Sequence, residues 1–173
     1  MSMYLEKGCI PAFFLLMIVA EPGLAQVLHW IPDGSPENHI AVRAGTEQNG
    51  VNNGKAIYVC RAPFAGGVHP GKFVEGANKC NIGYGGKGYE IPDYDLLVSE
   101  SGSPLWVKCC DGAGVTSTRE GGNENGHPLF VCRARYPGHG VHAGKTATEW
   151  NPPHCNIEFG GKEIELTDFD LLR

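Results

Sequence analysis

One unit is written twice in this chain, and that constrains the fold more than any other feature. Asn53-Gly54-Lys55-Ala56-Ile57-Tyr58-Val59-Cys60-Arg61-Ala62 lies over Asn125-Gly126-His127-Pro128-Leu129-Phe130-Val131-Cys132-Arg133-Ala134. Gly67-Val68-His69-Pro70-Gly71-Lys72 lies over Gly140-Val141-His142-Ala143-Gly144-Lys145, Cys80-Asn81-Ile82 over Cys155-Asn156-Ile157, and Gly85-Gly86-Lys87 over Gly160-Gly161-Lys162. Trp30 and Trp106 open the copies, and Tyr94-Asp95-Leu96-Leu97 and Phe169-Asp170-Leu171-Leu172 close them. A single unit cannot bury both faces of a sheet, so the two are expected to share one core with pseudo-twofold symmetry.

The local pattern is β. Ile57 to Arg61 is short, β-branched and aromatic, with the tight-turn pair Asn53-Gly54 before it. Asn81 to Ile91 reads as a hairpin about Gly85-Gly86, and Ile157 to Ile164 repeats it. With 25 glycines and 12 prolines, no helical period runs uninterrupted. The expected fold is all-β: two tandem antiparallel repeats, 26–98 and 105–173, joined by a Ser/Gly/Pro connector at 99–104.

Residues 1–25 read as a secretion signal: Lys7 supplies the positive end, Ile10 to Ala20 is apolar, and Gly23-Leu24-Ala25 offers small residues for cleavage. That apolar run is too short for a bilayer, which takes about twenty residues, so a secreted, extracellular chain beginning near Gln26 is expected. Cys9 leaves with the signal. The six cysteines that remain fit a disulfide framework, for which six thiols allow about fifteen pairings. The repeat favours Cys60 with Cys80 and Cys132 with Cys155, although cross-repeat pairing is equally symmetric; Cys109 and Cys110 have no counterparts in the first copy. A net charge of −5 and no Lys/Arg run argue against nucleic acid or an anionic membrane as partner.

Enzyme chemistry finds little footing. There is no Gly-x-Ser-x-Gly elbow, no His-Glu-x-x-His and no Cys-x-x-Cys. Gly83-Tyr84-Gly85-Gly86-Lys87-Gly88 spells the dinucleotide fingerprint, but in a hairpin turn with no helix after it, and the second copy reads Glu158 and Glu163 in place of its first and last glycines. Seven histidines raise metal binding, yet no pair has helical i, i+4 spacing and no Cys/His zinc pattern occurs. No cofactor and no metal site are expected. Arg61 and Arg133, inside apolar strands, call for carboxylate partners, with Asp95 and Asp170 the candidates.

The ordered set of opening Trp, polar-Gly turn, Ile/Leu-aromatic-Val-x-Arg-Ala strand, Gly-Lys, Cys, Gly-Gly and closing aromatic-x-Leu-Leu resembles the DM-nine repeat family, β modules of natterin-like proteins and tandem-repeat mannose-binding lectins. The resemblance implies a non-catalytic lectin with a pattern-recognition role in innate immunity, glycans of mannose type as partners, and no membrane insertion. It is compatible with a homodimer. It implies that sugar hydroxyls are held by the lysines, here Lys72 and Lys145, and by an acidic side chain near the first turn. Asn53 and Asn125 are read at that turn, as Asn in place of the family's Asp; Ala143 replaces the proline of Pro-Gly-Lys, and Cys60 and Cys132 stand where the family more often has glycine. The residues support a sugar site themselves: an ammonium offers three donors and an amide both donors and acceptors, which suits hydroxyls. His69 and His142 are expected beside the lysines, and Tyr84, Phe159, Trp30 and Trp106 offer flat faces, though packing in the core is their commoner use. The alternative is a structural or protein-interaction module whose sugar site has decayed.

Overall fold

The computed structural model describes residues 27–32, 40–110 and 118–173. The secretion signal read at 1–25, with Cys9, lies outside them. Among the described residues every regular element is a strand. The first repeat contributes β1 (Leu28–Pro32), β2 (Ile40–Ala41), β3 (Arg43–Thr46), β4 (Ala56–Phe64), β5 (Gly67–Val74), β6 (Cys80–Tyr84), β7 (Lys87–Ile91) and β8 (Asp95–Ser99). The second contributes β9 (Trp106–Lys108), β10 (Glu120–Glu124), β11 (His127–Tyr136), β12 (Gly140–Thr146), β13 (Cys155–Phe159), β14 (Lys162–Leu166) and β15 (Phe169–Leu172).

All pairings are antiparallel, as short Gly-rich connections allow. The long hairpins β4–β5 and β11–β12 put Val59 opposite Lys72 and Val131 opposite Lys145. Gly85 and Gly86 turn β6 into β7 with φ of 58° and 81°, and Gly160 and Gly161 turn β13 into β14 with 61° and 76°. Positive φ at both central residues is what a two-residue turn matched to strand twist demands, and glycine supplies it without strain.

The repeats join in one sheet. The path β5–β6–β7–β14–β13–β12–β11–β10 returns to β5 through Asn123 opposite Val68, which closes a barrel; β1, β8, β15 and β9 extend it. The pseudo-equivalent closure on the other side is the bridge between Glu47 and Gly140. The shared core sits between the halves, with Val42, Ala44, Ile57, Val59 and Leu97 from one and Val131, Ala143 and Leu172 from the other.

Each repeat keeps a smaller core of its own, built about a disulfide. Cys60–Cys80 and Cys132–Cys155 both form within their repeats, fully buried. Cys109 is buried in the second-repeat core and Cys110 is exposed. Arg61 donates to Asp95 at 2.7 Å and Arg133 to Asp170 at 2.9 Å, as the sequence required. Trp30 and Trp106 are only half-buried. Each lies under the guanidinium of its own repeat's arginine, 4.5 Å and 4.6 Å from the ring centre.

Candidate functional site

Lysines placed by a Gly-Lys turn would be solvated. Instead Lys72 and Lys145 stand inside β5 and β12, near their C-terminal ends, at 3 % and 2 % exposure, where the two repeats face each other. An ammonium this deep must be met by charge and by acceptors.

The partners cross the pseudo-twofold axis. Lys72 Nζ lies 3.3 Å from His142 Nδ1, and Lys145 Nζ lies 3.2 Å from His69 Nδ1. Each imidazole donates its Nε2–H to a backbone carbonyl, His142 to His139 at 2.8 Å and His69 to Phe64 at 3.1 Å. That fixes the tautomer, leaving Nδ1 as the acceptor for the lysine. Burial and then the facing lysine hold both histidines below the ordinary imidazole range, His142 at about 4. Burial also lowers Lys145. An aromatic from the opposite repeat covers each lysine: Phe159 at 5.2 Å from Lys72 and Tyr84 at 5.3 Å from Lys145.

The carboxylates break the symmetry. Lys72 Nζ is 3.3 Å from Glu158 Oε2 and 3.7 Å from Glu47 Oε2. Lys145 Nζ is 3.8 Å from Glu163 Oε1, with Glu124 within electrostatic reach of it and of His69. Glu158 and Glu163 are a directly opposed pair on β13–β14. Two like charges so placed would repel, but each turns to a different lysine. Glu158 also accepts Gly161 N–H, and Glu163 accepts Gly86 N–H and Asn156 Nδ2–H. Their counterparts on β6–β7 are Gly83 and Gly88, and the glutamates fill the space these leave: a Cβ on Gly83 would stand 2.8 Å from Glu163 Cγ, and one on Gly88 2.7 Å from Glu158 Cγ.

Glu47 and Glu124 are equivalents too: Glu124 ends β10, and Glu47 follows directly on β3 as a bridge residue, each ahead of the long hairpin. Residues 48–54 connect Glu47 to Lys55, whereas Asn125 and Gly126 suffice between Glu124 and His127. The longer loop leans on the second repeat, with Gln48 N–H on His139 O at 2.8 Å and Asn49 Nδ2–H on Gly138 O. It walls a cavity of about 280 Å³ over Lys72, lined also by Glu47, Glu158, Phe159, Asn81 and Asn52. Glu47 Oε2 is buried there without a hydrogen bond.

Of the expected site residues, the structure joins Lys72 to His142 and Lys145 to His69. It does not bring Asn53 or Asn125 to them. Asn53 is exposed and accepts Asn49 N–H at 3.0 Å, and Asn125 is the left-handed residue of its turn at φ 51°. An acidic residue stands just ahead of each turn instead, Glu47 and Glu124. Comparing the copies hid it because their loops differ in length. Glu158 and Glu163 were missed too; the signal that could have found them is that two acids stand in the second copy where the first has two glycines. Among the described residues no group of three His, Cys, Asp or Glu side chains is arranged to hold a metal ion.

A family model described as the DM9 repeat matches residues 51–166. Among solved structures, that of the nematode sperm cell motility protein MFP2B superposes with a TM-score of 0.61 over 96 % of this chain, at 16 % identity. The chain spans about half of that one, 52 %. At such identity the likeness is one of fold. No curated protein matches the sequence.

Proposed function

Because the chain belongs to the DM9 repeat family, and two lysine clusters stand where its repeats meet, we propose that it is a secreted, non-catalytic lectin for mannose-type glycans, with a pattern-recognition role in innate immunity. The observation that supports this best is Glu47 Oε2. It is a buried acceptor with no hydrogen bond, 3.7 Å from the Lys72 ammonium, on a side chain that lines a cavity together with Asn49, Asn52, Asn81 and Phe159. A hexose offers hydroxyls that donate and accept, and an apolar face that suits the ring. A homodimer would raise weak single-site affinity by avidity.

A second reading is favoured by the same geometry seen from inside. Both lysines already have carboxylate and imidazole partners, as a purely structural ion-pair network would, which suits a protein-interaction scaffold. A glycan array with residues 26–173, followed by Glu47→Gln, tests the first reading. Glu47→Gln keeps the shape and removes the acceptor charge, so mannose-type affinity should fall at least tenfold, or about 1.4 kcal/mol. If the wild-type protein binds no glycan, the scaffold reading takes its place.

A further inference from the structure

A second cavity lies apart from the lysine clusters. A cleft of about 440 Å³ opens beside β11 and β15, and its charged lining is Lys108, Arg133 and Arg135 against Asp168 and Asp170. Arg133 and Arg135 are two apart on one strand, so both point to the same face about 7 Å apart. Arg133 commits Nε to Asp170 and Nη1 to Ala44 O at 3.3 Å, which leaves Nη2. Arg135 makes no hydrogen bond or ion pair with any described residue, so its whole guanidinium fork is available. Among the described residues Lys108 is ion-paired with Asp168 alone, in a pair exposed on both sides. An incoming anion can exchange with such a pair at little cost.

The first repeat supplies an internal comparison. Its equivalent cleft, about 220 Å³, is lined by Arg61, Pro63, Val68, Asp93, Tyr94 and Asp95. Pro63 stands where the second repeat has Arg135. Pro32, paired with Asp95, stands where Lys108 pairs with Asp170. The same fold therefore gives one cleft with a single cation against two carboxylates and another, twice as large, with three. The arginine that both repeats share stacks on its tryptophan and bonds its aspartate in each, which is structure. Of the two cations found only in the second cleft, Lys108 has an exposed ion pair with Asp168 and Arg135 has no partner among the described residues.

We infer that the cleft bounded by Lys108, Arg133 and Arg135 is a binding site for an oxyanion, a carboxylate, sulfate or phosphate group, recognised by the forked donors of Arg135 with the remaining Nη2 of Arg133. Planar guanidinium groups bind such oxygens two at a time, which a lone ammonium does not. The site is independent of the lysine clusters and of the sugar reading.

Titration of residues 26–173 at low ionic strength with sodium sulfate, inorganic phosphate and sodium glucuronate, read by amide shifts and calorimetry against sodium chloride of equal ionic strength, tests it. At least one of the three should bind saturably, shifting the amides of Arg135, Val141 and Asp168, and the tightest of them names the group. Arg135→Ala should weaken that affinity at least tenfold and Lys108→Ala severalfold. Arg135→Lys should recover part, and Glu47→Gln should leave it unchanged. Arg135 is exposed and has no partner among the described residues, so its removal should leave the thermal midpoint in place. Equal affinity in Arg135→Ala, equal shifts in the cleft of Arg61, or no saturable binding of any of the three anions overturns the assignment.

Discussion

Protonating His142 would set a second cation against Lys72 with nowhere for either to turn, since Nε2 is already given to His139 O. Its pKa of about 4 lies below the unfolded imidazole value of about 6.5, so between those limits the unfolded chain binds a proton that the folded chain refuses. Stability from this residue is complete above pH 6.5, is lost as pH falls towards 4, and amounts to about 3 kcal/mol. Chemical denaturation at pH 7 and pH 4.5 should show the loss. His142→Gln, which keeps a donor and an acceptor but cannot ionise, should flatten that part of the profile; an unchanged slope would remove His142 as its source. Burial changes what a lysine substitution means as well. Turn lysines could be truncated freely, but Lys72→Ala strands Glu47 and Glu158 in the interior and should cost about 3–5 kcal/mol by the same measurement. The lysines and histidines were legible because both copies carry them. Their depth was not, because a Gly-Lys pair reads as a turn until the strand pairing is known.

Two facing hairpins carry the asymmetry of the molecule. On β6–β7 the opposed residues are Gly83 and Gly88; on β13–β14 they are Glu158 and Glu163. Replacing a strand glycine by alanine ordinarily gains about 0.5–1 kcal/mol. At Gly88 the new Cβ would stand 2.7 Å from Glu158 Cγ and 2.9 Å from the backbone carbon of Gly161, so overpacking of about 1–3 kcal/mol should win. Gly88→Ala should therefore lower the thermal midpoint, and pairing it with Glu158→Gly should recover most of the packing loss at the expense of a charge partner for Lys72. Recurrence finds what the copies share, and these acids are where they differ, which is why the hairpins were legible and their chemistry was not. The disulfides went the other way. Cys60–Cys80 and Cys132–Cys155 span 20 and 23 residues inside equivalent hairpin pairs, and the repeat pointed to both. Removing either by a double Cys→Ala substitution should cost about 3 kcal/mol through the freed unfolded chain, measured by denaturant titration of the non-reduced protein.

At the scale of the molecule, neither repeat is complete. The shared core takes residues from both halves, strand β10 of the second repeat pairs with β5 of the first, and each lysine finds its histidine and its aromatic cover across the axis. The sequence implied shared burial, since a unit of this size leaves one face of its sheet bare. It held no sign that the lysine clusters would be assembled crosswise, because repetition along a chain does not say which half meets which. Separate fragments 26–98 and 105–173 should each keep a disulfide core and lose the central one. Each would expose Ile57, Val59 and Leu97, or Val131, Ala143 and Leu172, all at 0 % exposure in the whole protein. Returning these side chains to water, at about 1.5–3 kcal/mol for each valine, leucine or isoleucine, costs a large share of the 5–15 kcal/mol that holds an ordinary domain together. Expressed alone, the fragments should show collapsed amide dispersion and no cooperative melt. Mixed in equal amounts, they should recover both, together with the lowered titration of His142, which comes from burial and then from Lys72 of the other fragment. A fragment that melts cooperatively by itself would show that the repeats are domains in their own right.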